Sequence, residues 1–253
     1  MWEDRFEGTA LDPAVWLPHY LPMWSSRGQT AAAYRLTGSG LVLELPVDHP
    51  VWLPDDHRPP LRVSGLQSAC RSGPVGSTDG QQEVFPGQRV REAQPPFRGH
   101  LQTGGHLEVT CSMSLGPTSM AALWLCGFQE QPTDCGELCV VEVFGSALRD
   151  GPDGPSAEVG IGVKAIRDPR LQDDFAAPRL PLDVGEPHTY SVDWDDHEAV
   201  FRVDEVVVRR CPAPPTYPLQ IMVAVFDFPE SAAGPVPPDA PVPQLRIDAV
   251  RSW

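Results

Sequence analysis

The chain has 253 residues, 41% of them apolar, and a formal charge of −15; the length suits one domain spanning 1–253 with a sizeable core. That acidic balance excludes nucleic acid and anionic membrane surfaces as partners, because both demand clustered cations. No apolar run is long enough to cross a membrane as a helix.

The opening MWEDRFEGTALDP has neither the basic flank nor the apolar core of a signal peptide, which points to the cytoplasm. A secreted chain whose leader has been removed fits the same residues. Strand-like runs then recur: LVLELPV (41–47), HLEVTCSMSL (106–115), MAALWLCGF (120–128), ELCVVEVF (137–144) and AEVGIGVKAI (157–166). HTYSVDW (188–194), EAVFRV (198–203), EVVVRR (205–210), LQIMVAVFDF (219–228) and LRIDAVRSW (245–253) complete the series. Many alternate or are β-branched, and Pro, Gly and Asp bound them. The 30 prolines fit turns and sheet edges, where a missing N–H donor does no harm. The predicted fold class is all-β, a sandwich of two antiparallel sheets. Residues 46–94 carry loop signals, and SAAGPVPPDAPVP (231–243) reads as a long surface loop. Six cysteines, at 70, 111, 126, 135, 139 and 211, fit no zinc-ligand spacing and read as free thiols; in a secreted chain some would pair.

Glu137 and Glu142 interrupt an otherwise apolar strand. In a flat strand they would point to opposite faces, and one would enter the core. A one-residue β-bulge around Val140–Val141 flips the parity and returns Glu142 to the face of Glu137 and Cys139. Two carboxylates so placed would lie roughly 5–5.5 Å apart, the separation used by retaining glycosidases. Their repulsion, roughly 3 kcal/mol at an effective dielectric near 20, would leave one protonated as acid and the other ionised. An exposed strand edge with two solvated glutamates has the same spacing.

The run ELCVVE resembles the bulged E-[LIV]-D-x-x-E catalytic strand of glycoside hydrolase family 16, the laminarinase-like β-jelly rolls. Further matches follow the family's order. DRFEGTALDPAVW is similar to its D-E-F-x-G-x-x-L-D-x-x-x-W opening, and MAALWLCGF to its W-P-A-x-W-M-x-G strand. HTYSVDWDDHEAVFRVDEVVVRR is similar to its H-T-Y-x-x-x-W…F-x-V-D-G hairpin, and LRIDAVRSW to its V-D-Y-V-R-V-W closing strand. The resemblance implies a jelly roll with a concave substrate cleft and a retaining endo-hydrolase of a β-linked glucan or galactan. Glu137 would be the nucleophile and Glu142 the acid/base. A transglycosylase using the same pair, or a weakly active carbohydrate-binding relative, fits the same motifs.

Departures from the family pattern bear on the chemistry. Cys139 stands where the motif has an aspartate that hydrogen-bonds the nucleophile; a neutral thiol is a poor substitute, and its simplest role is to fill space. Lys164, the only lysine, aligns with a cleft histidine and there would lower the carboxyl pKa of Glu142; an outward-facing surface lysine is the alternative. Glu205 takes the place of a turn glycine. Arg5, near the segment where relatives hold a structural calcium with the aspartate matched by Asp248, opposes a cation, so no metal is expected. Trp124 alternates out of phase with Ala121, Leu123 and Leu125; if that trio faces the core, Trp124 faces the cleft, where the resemblance implies a sugar platform, with core burial the competing reading. Trp24 and Arg27, in the cleft-wall segment YLPMWSSRGQ, are candidates for further sugar contacts, as is Lys164. His188 reads as structural. The expected partner is a polysaccharide or oligosaccharide, with no cofactor and a monomeric state.

Overall fold

A computed structural model describes residues 1–230 and 241–253; most of the 231–243 loop expectation therefore lies outside the described residues. Strand makes up 47% and helix 4%, so the all-β reading holds. The strands of the two large sheets are β1 (Trp2–Asp4), β2 (Tyr34–Leu36), β3 (Leu41–Glu44), β4 (Val51–Trp52), β5 (Leu61–Gln67), β6 (Leu101–Gln102), β7 (Gly105–Ser114) and β8 (Ser119–Gly127). They continue with β9 (Glu137–Phe144), β10 (Gly160–Lys164), β11 (Asp174–Ala176), β12 (His188–Trp194), β13 (Glu198–Val203), β14 (Val206–Pro212), β15 (Leu219–Asp227) and β16 (Gln244–Ser252).

The back sheet runs β14-β13-β12-β7-β16-β3-β2, with β1 added to β16. The cleft sheet runs β11-β10-β9-β8-β15-β5-β4, with β6 added to β15. Every pairing is antiparallel. This is the jelly-roll sandwich expected from the spacing of the runs.

Period-two alternation explains the layers. On β8, Ala121, Leu123 and Leu125 enter the core between the sheets, with Leu107, Val109, Val192, Phe201 and Ile247 facing them from the back sheet. The other face of β8 carries Met120, Ala122 and Cys126, and there a second apolar cluster forms. Leu17, Leu21, Met23, Trp24 and Leu53 come down on it from the loops, and Trp52 joins them from the end of β4. Strand β15 lies beneath both clusters and is buried at every position, which accounts for its near-continuous apolar sequence.

Two contacts secure the margins. The β13–β14 hairpin turns through Asp204 and Glu205, both left-handed at φ 47° and 67°, a two-residue turn of the type that follows strand twist. His188 Nδ1 lies 2.6 Å from the Asp204 carboxylate and its Nε2 3.0 Å from the Asp183 carbonyl, so both ring nitrogens are engaged. At the sandwich edge Arg209 of β14 pairs with Asp174 of β11. The Asp174 carbonyl accepts from Arg209 Nε at 3.3 Å and from the Cys211 thiol at 3.3 Å. All six cysteines are free and buried. Among the described residues no helix is long and apolar enough to cross a membrane.

Glutamate pays a steric penalty at positive φ that glycine avoids, partly offset by glycine's greater chain entropy. Glu205→Gly is expected to raise stability by about 0.5–1 kcal/mol, read as a higher urea midpoint at unchanged slope. An unchanged or lower midpoint would show that the turn carries no such strain.

Candidate active site

The bulge is present. Strand β9 pairs with β8 as Leu123↔Val141 and then Trp124↔Cys139, so Val140 has no partner on β8. Its pairing with β10 slips in the same stretch, from Cys139↔Gly162 to Glu142↔Gly160. Leu138, Val140, Val141 and Val143 all enter the core. The extra residue lets two consecutive valines point inward, which places Glu137, Cys139 and Glu142 together on the opposite face.

These three side chains line a cavity of about 260 Å³ with Tyr20, His57, Trp124, Lys164 and Phe226. An adjoining cavity of about 200 Å³ shares Tyr20, His57, Trp124 and Glu137 and adds Trp52, Gln82 and Val84. Trp124 faces the cleft, half-buried, as its phase on the strand requires. Tyr20 holds the aromatic wall together: its ring centroid is 5.1 Å from Trp52, 5.6 Å from Phe226 and 6.5 Å from Trp124, edge-on in each case.

Burial drives the Glu137 carboxyl up from 4.5 to about 7; Lys164 opposes the shift and Glu142 adds to it. Glu142 forms an ion pair with Lys164, Oε2 to Nζ 2.9 Å, with side-chain exposures of 18% and 28%. The ammonium also lies 4.3 Å from the centre of the Phe175 ring. Burial pulls the lysine pKa down, but the acidic side chains around it, with Glu142 in direct contact, outweigh it and the net shift is upward. Lys164 is therefore a cation at any ordinary pH. Cys139 is 2% exposed, its thiol 3.6 Å from the Gly160 carbonyl. Burial, then Glu142, pushes that thiol well above the usual range, so it is neutral.

Trp24 requires a correction. It is 0% exposed, within the second apolar cluster, and its Nε1 donates to the Gln81 carbonyl at 2.8 Å. Gly80 lies against it so closely that a Cβ there would sit 2.4 Å from the indole. Trp24 has no face left for a sugar. Arg27 does not reach the cavities either: its Nε donates to Gln94 at 2.8 Å and its backbone N–H to Glu92 at 3.1 Å. The pair thus anchors the wall instead of lining the cleft.

Tyr20, Trp52, His57 and Gln82 were not singled out from sequence. Tyr20 begins the very segment that contains Trp24, and an aromatic at a loop edge is its only local signal. Gln82 is placed by a buried amide network. Gln81 Nε2 donates to the Phe128 carbonyl at 3.1 Å and to Gln220 at 2.9 Å, while the Gln82 N–H donates to Gln129 at 2.6 Å. On the back-sheet side Arg5 pairs with Glu3 and Asp248 with Arg246. Among the described residues no three His, Cys, Asp or Glu side chains converge to hold a metal ion.

Two measurements separate the tryptophans. Trp24→Ala should cost about 3–5 kcal/mol of stability, the usual penalty for emptying a large core site. Trp124→Ala should cost much less and weaken oligosaccharide binding; equal costs would contradict this division. Glu137 yields a pH prediction. A carboxyl with a raised folded pKa contributes stability below its ordinary value of 4.5, and that contribution is lost as pH rises through about 7. Glu137→Gln should therefore stabilise the protein at pH 8 by up to about 3 kcal/mol and leave it nearly unchanged at pH 4. Equal denaturation midpoints at pH 8 would contradict the buried charge.

No protein-family model and no curated protein matches the sequence. Solved structures do match the fold. The GlcNAcα1-4Gal-releasing endo-β-galactosidase from Clostridium perfringens aligns over 100% of this chain with TM-score 0.81 and 21% identity. The chain spans only 62% of that enzyme's length. The catalytic domain of an endo-1,3-β-glucanase (laminarinase) from Thermotoga petrophila aligns over 100% of this chain and 96% of its own, with TM-score 0.65 and 14% identity. A non-specific endo-β-1,3(4)-glucanase from family GH16 aligns over 99% and 89%, with TM-score 0.63 and 17% identity. The chain has the laminarinase-like fold of glycoside hydrolase family 16.

Proposed function

We propose that the chain is a retaining endo-glycoside hydrolase acting on a β-linked glucan or galactan. The observation that carries this reading is the Val140 bulge, which puts Glu137 and Glu142 in one cavity beside Trp124. The hydrolases that share the fold support it. In the proposed double displacement, Glu137 attacks the anomeric carbon while Glu142 protonates the departing glycosidic oxygen. Glu142 then takes a proton from water, whose oxygen displaces Glu137 from the sugar. Trp124 offers the ring face on which a pyranose packs. The reaction needs one proton on the pair, so loss of the Glu137 proton at about 7 places the basic limb of kcat/KM near neutrality.

A second reading, a carbohydrate-binding relative with little turnover, is favoured by two observations: a neutral Cys139 between the glutamates and a lysine already paired with Glu142.

Incubation with laminarin, mixed-linkage glucan, agarose and carrageenan, followed by reducing-end assay, tests both. At least one substrate should be cut, and Glu137→Gln or Glu142→Gln should lower the rate by roughly a hundredfold to ten-thousandfold. Variants as fast as the parent would overturn the assignment. Binding weakened by Trp124→Ala, with no product after prolonged incubation, would establish the second reading.

A further inference from the structure

The backbone register of Lys164 and the destination of its side chain differ. Its Cα pairs with Glu137, yet its ammonium bonds Glu142. The next two residues of β10 on that face are Gly162, opposite Cys139, and Gly160, opposite Glu142. Neither carries a side chain that could stand between the ammonium and Glu142. Neither site has room for one: a Cβ on Gly160 would lie 2.6 Å from Phe175 and 3.1 Å from the Glu142 Cβ. On Gly162, at φ +139°, it would lie 2.2 Å from the Asp174 carbonyl. Phe175 of β11 supports the ammonium.

We propose that Lys164 is a positioning residue that decides which member of the glutamate pair carries a shared proton: by holding Glu142 as a carboxylate it leaves that proton on Glu137. Other ionisable groups at the cavity do not compete for this role. Cys139 is a neutral thiol, and Tyr20 is driven upward by burial first and Glu137 second. His57 has Nδ1 within 2.7 Å of the Pro59 carbonyl. Asp174, behind the lysine on β11, is already paired with Arg209. Among the described residues that line the cavity, Lys164 is the one lysine or arginine.

The significance for turnover rests on the hydrolase reading above. The resting triad holds a neutral Glu137, an anionic Glu142 and a cationic Lys164, with net charge zero. A reactive triad has an anionic Glu137, a neutral Glu142 and the same cation, so one proton moves between the carboxyls and net charge is conserved. Substrate must loosen the Lys164–Glu142 pair for that exchange to occur. Lys164 then acts as a restraint on the acid/base.

The test needs no substrate, so an inactive protein does not affect it. Side-chain carboxyl carbons of glutamate are labelled with carbon-13 and followed by NMR from pH 3 to 9, with Glu137→Gln and Glu142→Gln assigning the two signals. In the parent, Glu137 should be the later of the pair to lose its proton. In Lys164→Met, which keeps the stem and removes the charge, the Glu142 midpoint should rise by about one unit or more, the usual effect of losing a close opposite charge. That rise should exceed any rise at Glu137, and Lys164→Arg should restore the parent curve. A Glu142 midpoint unchanged in Lys164→Met would overturn the proposal. Should that variant not fold, a parent curve in which Glu142 holds its proton longer than Glu137 would overturn it equally.

Discussion

One extra residue in one strand governs this molecule. Without Val140 as an unpaired insertion in β9, alternation would send either Glu137 or Glu142 into the space between the sheets. Burying a lone carboxylate there costs far more than a local disruption of the ladder. With the insertion, the core gains two adjacent valines and the cleft gains both acids. The slip is felt on both sides, by β8 at Leu123/Trp124 and by β10 between Gly162 and Gly160. Packing and chemistry are therefore settled by the same residue.

The loops add the second condition, a dry environment. Leu21, Met23, Trp24, Trp52 and Leu53 seal much of the outer face of the cleft sheet, leaving open mainly the region around Trp124 and the acids. Withdrawal of water makes each charge more consequential. It raises the Glu137 carboxyl and makes a single ammonium at 2.9 Å from Glu142 a major local influence. The site is poised by opposition between desolvation and one cation, and the carboxyls' mutual repulsion is secondary for Glu137.

What could be read from the amino acids alone was whatever depends on periodicity within a strand. The alternation of Ala121, Leu123 and Leu125 located the core and, by difference, Trp124. The parity conflict between Glu137 and Glu142 demanded a bulge. Features set by contacts distant in sequence were not legible. Trp24 differs from Trp124 in burial because Gly80 and the Gln81 carbonyl close over it, across more than fifty positions of chain. Tyr20, Trp52 and His57 meet only after the loops fold onto the sheet. The pairing of Lys164 with Glu142 exists only once β9 and β10 are in register. The departure at Glu205 was legible as a turn problem, and the left-handed pair at Asp204 and Glu205 is how the chain accommodates it.

The Arg209–Asp174 contact has a consequence for the protein's behaviour in a crowded solution. Strand β11 ends the cleft sheet, and an end strand presents unpaired carbonyls and N–H groups to which another polypeptide can add. Here the Asp174 carbonyl is already occupied by Arg209 Nε and the Cys211 thiol, and a guanidinium stands over the margin. The strand is only three residues long. An incoming strand would have to displace the arginine and desolvate its charge to find a short template. The same contact that ties the two sheets together therefore guards this margin against edge-to-edge self-association.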